Sequence, residues 1–254
     1  MSEEALVEVR AHGAASVIVL RREHKLNALS TALERALGDA LSREDVRSSA
    51  CVVFSGGERA FSAGADVGEM RDLDPASILE YYRETGDVYE RVAALPQPTI
   101  SAIAGYCLGG GFELALATDF RVADRSAVFG LPEVGIGIVP SSGGTHRLVR
   151  LLGAARAKEL VLLGDRLGPD DASALGLVTE VVPEGAALER ALALAERLGA
   201  LPQLSLALAK QTIDLMPEAS REAGLALERL AYGVLAQTGE AREAADAFAE
   251  KRRR

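Results

Sequence analysis

The sequence predicts an α/β fold in which parallel strands alternate with helices, followed by a region made mainly of helices. Up to about residue 150, short Val/Ile-rich runs alternate with amphipathic segments, which is typical of a parallel α/β arrangement. Beyond that point the chain is rich in Ala, Leu, Glu and Arg, with one short strand predicted in "GLVTEVVP". The 254 residues, of which 48% are hydrophobic, are enough for a large buried core.

The N-terminal part predicts two strands and a helix. "ALVEVRAHGAASVIVLRR" alternates and then becomes apolar, so it predicts two strands joined by a turn at His12-Gly13. In "STALERALGDALSRE", Ser30 or Thr31 is placed to cap a helix whose leucines recur on one face. "ACVVFSG" predicts a short buried strand that ends at glycines.

The middle of the chain predicts one long helix and two strands. The helix is started by Pro75 and stopped by Pro96. "TISAIAGYC" and "DFRVADRSAVFG" each predict one strand, and the glycine triplet between them opens a helix. In the last third, helices are predicted over residues 154–175, 185–199, 203–216 and 218–250.

Composition and missing motifs exclude several classes of protein. A formal net charge of −9 argues against a nucleic-acid partner. No P-loop, dinucleotide fingerprint or G-x-S-x-G elbow occurs, and the three histidines show no metal-ligand spacing with Cys, Asp or Glu. The chain starts without a signal-peptide pattern and has no membrane-length apolar run. With Cys51 and Cys107 expected as buried, reduced thiols, we expect a cytoplasmic protein.

Two glycine-containing segments and two glutamates predict a catalytic site. In "GYCLGGGFELALA", a helix that begins near Gly110 would place its free backbone N–H beside Glu113, one turn on. "FSAGAD" offers a second loop N–H, and two such donors on one oxygen form an oxyanion hole. Glu133, held by Pro132 in "VFGLPEVGIG", supplies a second carboxylate for proton transfer. Together they predict a site that stabilises an enolate.

Each of these features also has a structural alternative. Glu113 could complement the positive end of its helix, and Glu133 could be a solvated loop residue. The glycine triplet could simply allow a helix and a strand to pack closely. The helix around Tyr81, Tyr82 and Tyr89, with Phe112, either shapes a substrate pocket or belongs to the core.

Six segments in this order resemble the crotonase family, the enoyl-CoA hydratase/isomerase superfamily. They are "HKLNALS", "ERAFSAGADVGEM", "PTISAIAGYCLGGGFELALATDFRVAD", "FGLPEVGIGIVPSSGGTHRLVRLLG", "LGPDDASALGLVTEVVP" and "AFAEKRRR". The resemblance implies a crotonase-like superhelix of ββα turns over residues 1–190. It also implies a C-terminal helical trimerisation region over residues 191–254, with homotrimers usually paired into homohexamers.

The resemblance also assigns catalytic roles. It implies that the backbone N–H groups of Ala65 and Gly110 form the oxyanion hole. Glu113 would hold and activate a water, and Glu133 would exchange the proton at the α-carbon of the acyl group. Because both glutamates are present, the resemblance favours an enoyl-CoA hydratase that adds water in syn fashion to a trans-2-enoyl-CoA. An enoyl-CoA isomerase or another acyl-CoA lyase of the family is the alternative.

The resemblance places the CoA thioester as well, and CoA would come with the substrate, so no cofactor or metal is expected. The backbone around Ala63 and Asp66 would contact the adenine, and Lys25 or Arg22 would lie near the phosphates. Ser141 stands where hydratases of the family usually have a glycine that helps to place the water. The chain also reaches "KRRR" without the usual proline and aromatic continuation. These two departures motivate a second alternative, a catalytically weak CoA-binding or assembly protein.

Overall fold

The computed structural model describes residues 5–70, 74–84 and 87–243. Within these ranges the strands form two sheets. The strands are β1 Val7–His12, β2 Ala15–Leu20, β3 Cys51–Ser55, β4 Ala60–Ser62, β5 Thr99–Ile103, β6 Tyr106–Leu108, β7 Phe120–Asp124, β8 Val128–Gly130 and β9 Glu180–Val182. The larger sheet has the order β1-β2-β3-β5-β7-β9 and the smaller one β4-β6-β8. All pairings are parallel except that of β1 with β2.

The described helices lie between and after these strands. They are α1 Thr31–Ser42, α2 Glu44–Arg47, α3 Val67–Met70, α4 Pro75–Glu84, α5 Asp87–Ala93, α6 Gly110–Leu116, α7 Gly144–Leu163, α8 Pro169–Ala174, α9 Ala187–Gly199, α10 Gln203–Leu215 and α11 Arg221–Leu235. None of them is long and apolar enough to span a bilayer.

Two segments that the sequence predicts as single strands are each two strands in different sheets. The prediction for residues 99–107 was wrong because Gly105 breaks it, with a left-handed φ of 59°. A Cβ at Gly105 would lie 2.0 Å from the carbonyl oxygen of Arg59, so only glycine fits there. The strand predicted over residues 119–130 also breaks, here at a turn between β7 and β8 in which Asp124 accepts hydrogen bonds from the N–H groups of Ser126 and Ala127. The three pairs β3–β4, β5–β6 and β7–β8 therefore each add one strand to each sheet before a helix follows, which confirms the predicted superhelix of ββα turns.

Helix ends follow local chemistry that the sequence predicts only in part. Ser30 caps α1, its Oγ accepting a hydrogen bond from the N–H of Leu33, as predicted. The helix predicted between Pro75 and Pro96 is described as α4 and α5, on either side of residues 85 and 86, which lie outside the described residues. The helix predicted over residues 154–175 begins as predicted but ends too late. α7 is two helices joined across a kink at Gly153, which has a non-helical φ of 75° and ψ of 163°, and the second of them ends at Leu163 because Gly164 takes a left-handed φ of 67°. The end of the predicted range forms the separate short helix α8.

The core lies on both faces of the larger sheet. On one face α9 packs small residues, Ala187, Ala191 and Ala195, against Val53 and Ile100. The other face is covered by α1, α5 and α6, whose apolar side chains form the larger cluster. The predicted boundary between residues 190 and 191 falls inside α9, and the division into two regions stays a prediction. The segment "AFAEKRRR" lies outside the described residues.

Candidate active site

Asn27 fixes the loop that precedes the site. Its side chain is buried and its φ of 52° is left-handed, a conformation that asparagine tolerates better than most residues. The amide oxygen accepts a hydrogen bond from the N–H of Arg22 at 2.8 Å, and the amide nitrogen donates to the carbonyls of Ala60 and Phe61. Asn27 therefore ties the turn after β2 to the strand β4 that leads into the site.

The loop after β4 presents the N–H of Ala65 to a cavity. Leu29 bonds to the residues on either side of it: its N–H donates to the carbonyl of Gly64 and its carbonyl accepts from the N–H of Asp66, at 2.8 and 2.9 Å. In such a parallel bridge the N–H of the middle residue points away from the partner strand. Among the described residues, this N–H has no hydrogen-bond acceptor.

The glycine triplet meets this loop at the start of α6. Gly109 precedes the helix with φ 51° and ψ −131°, and the N–H of Gly110 opens the first turn. A Cβ built on Gly64 would lie 3.5 Å from the nitrogen of Gly110, and one built on Gly110 would lie 3.8 Å from the nitrogen of Ala65. The two predicted donors are thus brought together. The alternative that the triplet allows close packing applies to its last residue, Gly111. A Cβ there would lie 2.5 Å from the carbonyl oxygen of Ser62.

Glu113 is buried and held by a second loop. The residue is 2% exposed, and its Oε1 accepts hydrogen bonds from the N–H groups of Ser142 and Gly144, both at 2.8 Å. Burial raises the pKa of this carboxyl, while the backbone bonds from Gly144 and Ser142 oppose that rise. These side-chain hydrogen bonds come from the segment at the start of α7 rather than from the N-terminal amides of its own helix.

Glu133 has a different environment. It is 8% exposed at the start of a 3-10 turn, and its Oε2 is buried without a hydrogen-bond partner among the described residues. Burial, with a smaller contribution from the charge of Glu113, raises the pKa of Glu133 from 4.5 to about 7. A Cβ on Gly109 would lie 3.1 Å from Oε1 of Glu133, so the glycine triplet and this carboxyl are also close. The solvated-loop alternative for Glu133 is excluded by its burial.

These groups face one small cavity of about 120 Å³. Ala65, Gly110, Glu113 and Glu133 all line it, together with Ala63 and Ser141. A larger cavity of about 490 Å³ lies at the carboxyl ends of the main sheet, but neither glutamate reaches it. A concave site with converging polar groups and a shifted carboxyl pKa is where catalysis is expected, so the smaller cavity is the candidate active site.

Of the residues predicted to contact CoA, Ala63 lines this cavity, while Arg22, Lys25 and Asp66 are outside its lining. Arg22 and Asp66 form an ion pair of 2.7 Å, and the arginine lowers the pKa of the Asp66 carboxyl. The charge of Lys25 also acts on Asp66, and Lys25 is exposed. The N–H of Ala63 donates to the carbonyl of Leu26, which holds the segment of Arg22 and Lys25 against the loop after β4.

No group of three metal-ligating side chains occurs among the described residues.

Glu34 was not predicted from the sequence. It is 2% exposed on α1 and lines the same cavity, where its two carboxyl oxygens accept hydrogen bonds from the hydroxyls of Tyr81 and Tyr89. The sequence contains a signal for it: Glu34 stands at helical spacing on the face of Leu37 and Leu41, where an apolar residue is expected, and a charged residue there indicates a buried polar contact.

The aromatic residues divide between the two roles that the sequence left open. The three tyrosines of α4 and α5 line the cavity, and the hydroxyl of Tyr82 donates to Oγ of Ser141 at 2.6 Å. Phe112 instead packs in the core against Phe129, with ring centroids 5.4 Å apart.

Known proteins resemble this chain over almost its whole length. The model of the enoyl-CoA hydratase/isomerase family matches residues 10–254. A probable enoyl-CoA hydratase of Rhizobium meliloti is 37% identical over 254 residues, covering 100% of this chain and 98% of that protein. The 2,3-dehydroadipyl-CoA hydratase of Escherichia coli is 40% identical over 238 residues, with 93% and 92% covered. The crystal structure of an enoyl-CoA hydratase from Bacillus anthracis superposes with a TM-score of 0.90 at 37% identity, covering 97% and 96%.

Proposed function

The chain belongs to the enoyl-CoA hydratase/isomerase family and is an enzyme of the enoyl-CoA hydratase kind, and we propose that its two buried glutamates add water to a trans-2-enoyl-CoA thioester. The observation that carries this proposal is the unequal pair in one cavity. Glu113 is fixed by two backbone N–H groups, whereas Glu133 has an unpartnered oxygen and a pKa of about 7. Two carboxyls with different proton affinities suit a reaction that removes one proton and delivers another.

In the proposed mechanism the thioester oxygen accepts hydrogen bonds from the N–H groups of Ala65 and Gly110. These donors stabilise the negative charge that develops there in the enolate-like state. Glu113 orients a water and takes a proton from it while the water oxygen bonds to the β-carbon. The protonated Glu133 gives its proton to the α-carbon on the same face, so the addition is syn. After the addition, Glu113 carries the proton taken from the water and Glu133 is ionised. This proton passes from Glu113 to Glu133 before the next turnover.

The hydration proposal is tested with crotonyl-CoA, by following the loss of absorbance of the conjugated thioester. Glu113→Gln and Glu133→Gln are each expected to lower kcat by about 10²–10⁴, the usual contribution of a general acid or base. Glu189→Gln, an exposed glutamate on α9, serves as the control and should keep full activity. Unchanged turnover in either active-site variant would contradict the proposal.

The isomerase alternative requires only one proton-transferring carboxyl, and Glu133 alone would serve. An isomerase would convert 3-enoyl-CoA and tolerate Glu113→Gln better than Glu133→Gln, whereas a hydratase needs both. A catalytically weak CoA-binding protein would bind acyl-CoA tightly across a panel of chain lengths without turnover. The same panel assayed for both reactions therefore separates all three functions.

We propose assembly into homotrimers or homohexamers through the C-terminal helices. Large apolar side chains on α10 and α11 are exposed in the single chain, among them Ile213 at 67% and Tyr232 at 75%. Such surfaces commonly form interfaces. Light scattering after gel filtration should give three or six times the 26.7 kDa chain mass; a monomer would contradict the proposal.

Compartment and cofactor requirement are part of the same proposal. A reducing compartment such as the cytoplasm is supported by two free, buried thiols, Cys51 and Cys107. The only cofactor is the CoA carried by the substrate, since the two carboxyls and two amides supply the acid, base and oxyanion donors. Dialysis against a chelator should leave hydration unchanged.

A further inference from the structure

The lining of the cavity includes two tyrosines, Tyr81 and Tyr89, that are hydrogen-bonded to one buried carboxyl. Tyr89 on α5 donates to Oε1 of Glu34 at 2.8 Å, and Tyr81 on α4 donates to Oε2 at 2.9 Å. Glu34 stands on α1, so one side chain links three helices at this wall. The mechanism proposed above uses neither Glu34 nor the tyrosines.

The wall comes close to the predicted thioester position. A Cβ on Gly110 would lie 3.3 Å from the hydroxyl oxygen of Tyr89, which is 2% exposed. Because the ring and its hydroxyl are enclosed, Tyr89 has little room to turn while its bond to Glu34 is intact. If Tyr89 moved aside for a longer acyl chain, the hydrogen bond between its hydroxyl and the carboxyl of Glu34 would be lost in a buried place, which costs free energy.

The size of the cavity gives a limit for the acyl group. Its volume is about 120 Å³. A cavity of about 150 Å³ in another protein is enough to bind benzene, which has six carbons. The present cavity is of comparable size and also contains the oxyanion donors and both glutamates, so the space that remains suits a short acyl group better than a long one.

We propose that Glu34 is a positioning residue that determines acyl specificity: by holding Tyr81 and Tyr89 it closes the acyl site and selects short enoyl-CoA substrates. This inference rests on the proposed function. It assigns to Glu34 a role at the acyl wall that is separate from the proton transfers of Glu113 and Glu133. Breaking a hydrogen bond to a carboxyl costs a factor of roughly 10–100, which sets the size of the selection.

The test compares kcat/KM for crotonyl-CoA, with four acyl carbons, and 2-octenoyl-CoA, with eight. The wild type is expected to favour crotonyl-CoA by about 10–100-fold. Glu34→Leu removes both acceptors and should bring the ratio to within about threefold, mainly by improving octenoyl-CoA. Glu34→Gln keeps an oxygen acceptor and should retain most of the wild-type preference, and Tyr89→Phe should fall between the two.

Leu37→Ala provides the matched structural control. Leu37 lies on the same face of α1, buried in the core and outside the cavity lining. It should lower the melting temperature while leaving the chain-length ratio unchanged. A wild type with equal rates for both substrates, or a Glu34→Leu variant that slows both equally, would overturn the inference.

A binding measurement separates this inference from the proposed function. Calorimetry with the saturated analogues butyryl-CoA and octanoyl-CoA reports the acyl wall without any turnover. The wild type should bind butyryl-CoA more tightly than octanoyl-CoA, and Glu34→Leu should reduce that difference. If no enoyl-CoA is hydrated but this pattern appears, hydration fails and the role of Glu34 stands. If hydration occurs and binding shows no chain-length difference in either protein, the role of Glu34 is wrong.

Discussion

The segments that carry the two glutamates differ in how they treat a buried carboxyl. Glu113 sits on the first turn of α6, a helix fixed between the sheet and α7, and receives two N–H bonds from the loop before α7. Glu133 sits on a short 3-10 turn after β8, and one of its oxygens has no partner among the described residues. The surroundings of Glu113 supply hydrogen bonds that favour its carboxylate form. The surroundings of Glu133 leave one oxygen of its carboxylate without such a bond.

Burial alone therefore does not determine the protonation state of a carboxyl. Both residues are almost fully buried, and burial raises both pKa values. At Glu113 several backbone donors from a distant loop oppose that rise, whereas Glu133 is opposed only by its own backbone N–H and its pKa reaches about 7, so Glu133 is the better proton donor near neutral pH. Four experiments test whether the two carboxyls differ in this way.

The largest effect is expected from Gly144→Ala, which disturbs the loop that holds Glu113. A Cβ at this position would lie 2.7 Å from Oε1 and 2.6 Å from Cγ of Glu113, so the carboxyl must move. A displacement of about 1 Å can reduce a rate by about 10²-fold, and we expect that loss in kcat/KM for hydration. Gly168→Ala is the control, because its φ is −74° and nothing lies within 4 Å of its Cβ.

The second prediction concerns pH. Hydration needs the protonated form of Glu133, whose pKa is about 7, so kcat/KM should fall about tenfold per unit above that pH. The dehydration direction must show the same limb, because the equilibrium constant between enoyl-CoA and hydroxyacyl-CoA does not depend on pH. The residual activity of Glu133→Gln should lack the limb. A wild-type profile that stays flat from pH 6 to 9 would refute the assigned proton donor.

The third prediction concerns stability. The folded state raises the pKa of Glu133 from 4.5 to about 7, so it binds this proton more tightly than the unfolded chain does. The resulting stability is fully present below about pH 4.5 and is lost as pH rises through 7. Glu133→Gln should therefore be more stable than the wild type at pH 8, by roughly 1–3 kcal/mol after allowance for solvent screening, and less so at pH 5. Urea unfolding at both pH values measures the difference.

Glu113→Gln, measured in the same unfolding experiment, shows whether the stability gain is specific to Glu133. The amide keeps an oxygen that can accept both backbone bonds, and the pKa of Glu113 is raised against opposing backbone donors, so the stability gain at pH 8 should have the same sign as for Glu133→Gln but be smaller. An equal gain at pH 8 in both variants would mean that the two carboxyls share one environment.

The smallest effect is expected at the hydrogen bond between Tyr82 and Ser141, 2.6 Å long. Ser141 precedes the loop that holds Glu113, so Tyr82→Phe and Ser141→Gly should each change kcat/KM by about two- to fivefold. The double variant should show no further change if the two residues act through this one bond. Additive losses would show that they act separately.

The sequence was informative where one local pattern is enough. The turn between β1 and β2, the Ser30 cap of α1 and the start of α6 at the glycine triplet were all predicted. The single strands predicted over residues 99–107 and 119–130 were wrong, since a change of sheet does not alter the apolar pattern of a buried strand. Glu34 was missed for a related reason: a glutamate on an apolar helix face is interpretable only when its partners on α4 and α5 are known.

By itself, the sequence determined the α/β class and the residues that could perform acid–base chemistry, while the ββα turns were implied only by the resemblance to the crotonase family. The class and the candidate residues follow from periodicity and from the backbone freedom of glycine, which are properties of short segments. Tertiary structure alone decided that the amides of Ala65 and Gly110 meet and that Glu113 gains donors from a loop about thirty residues later. It also decided that Glu133 is left with an unpartnered oxygen, because desolvation and hydrogen bonding depend on which distant segments close around a group.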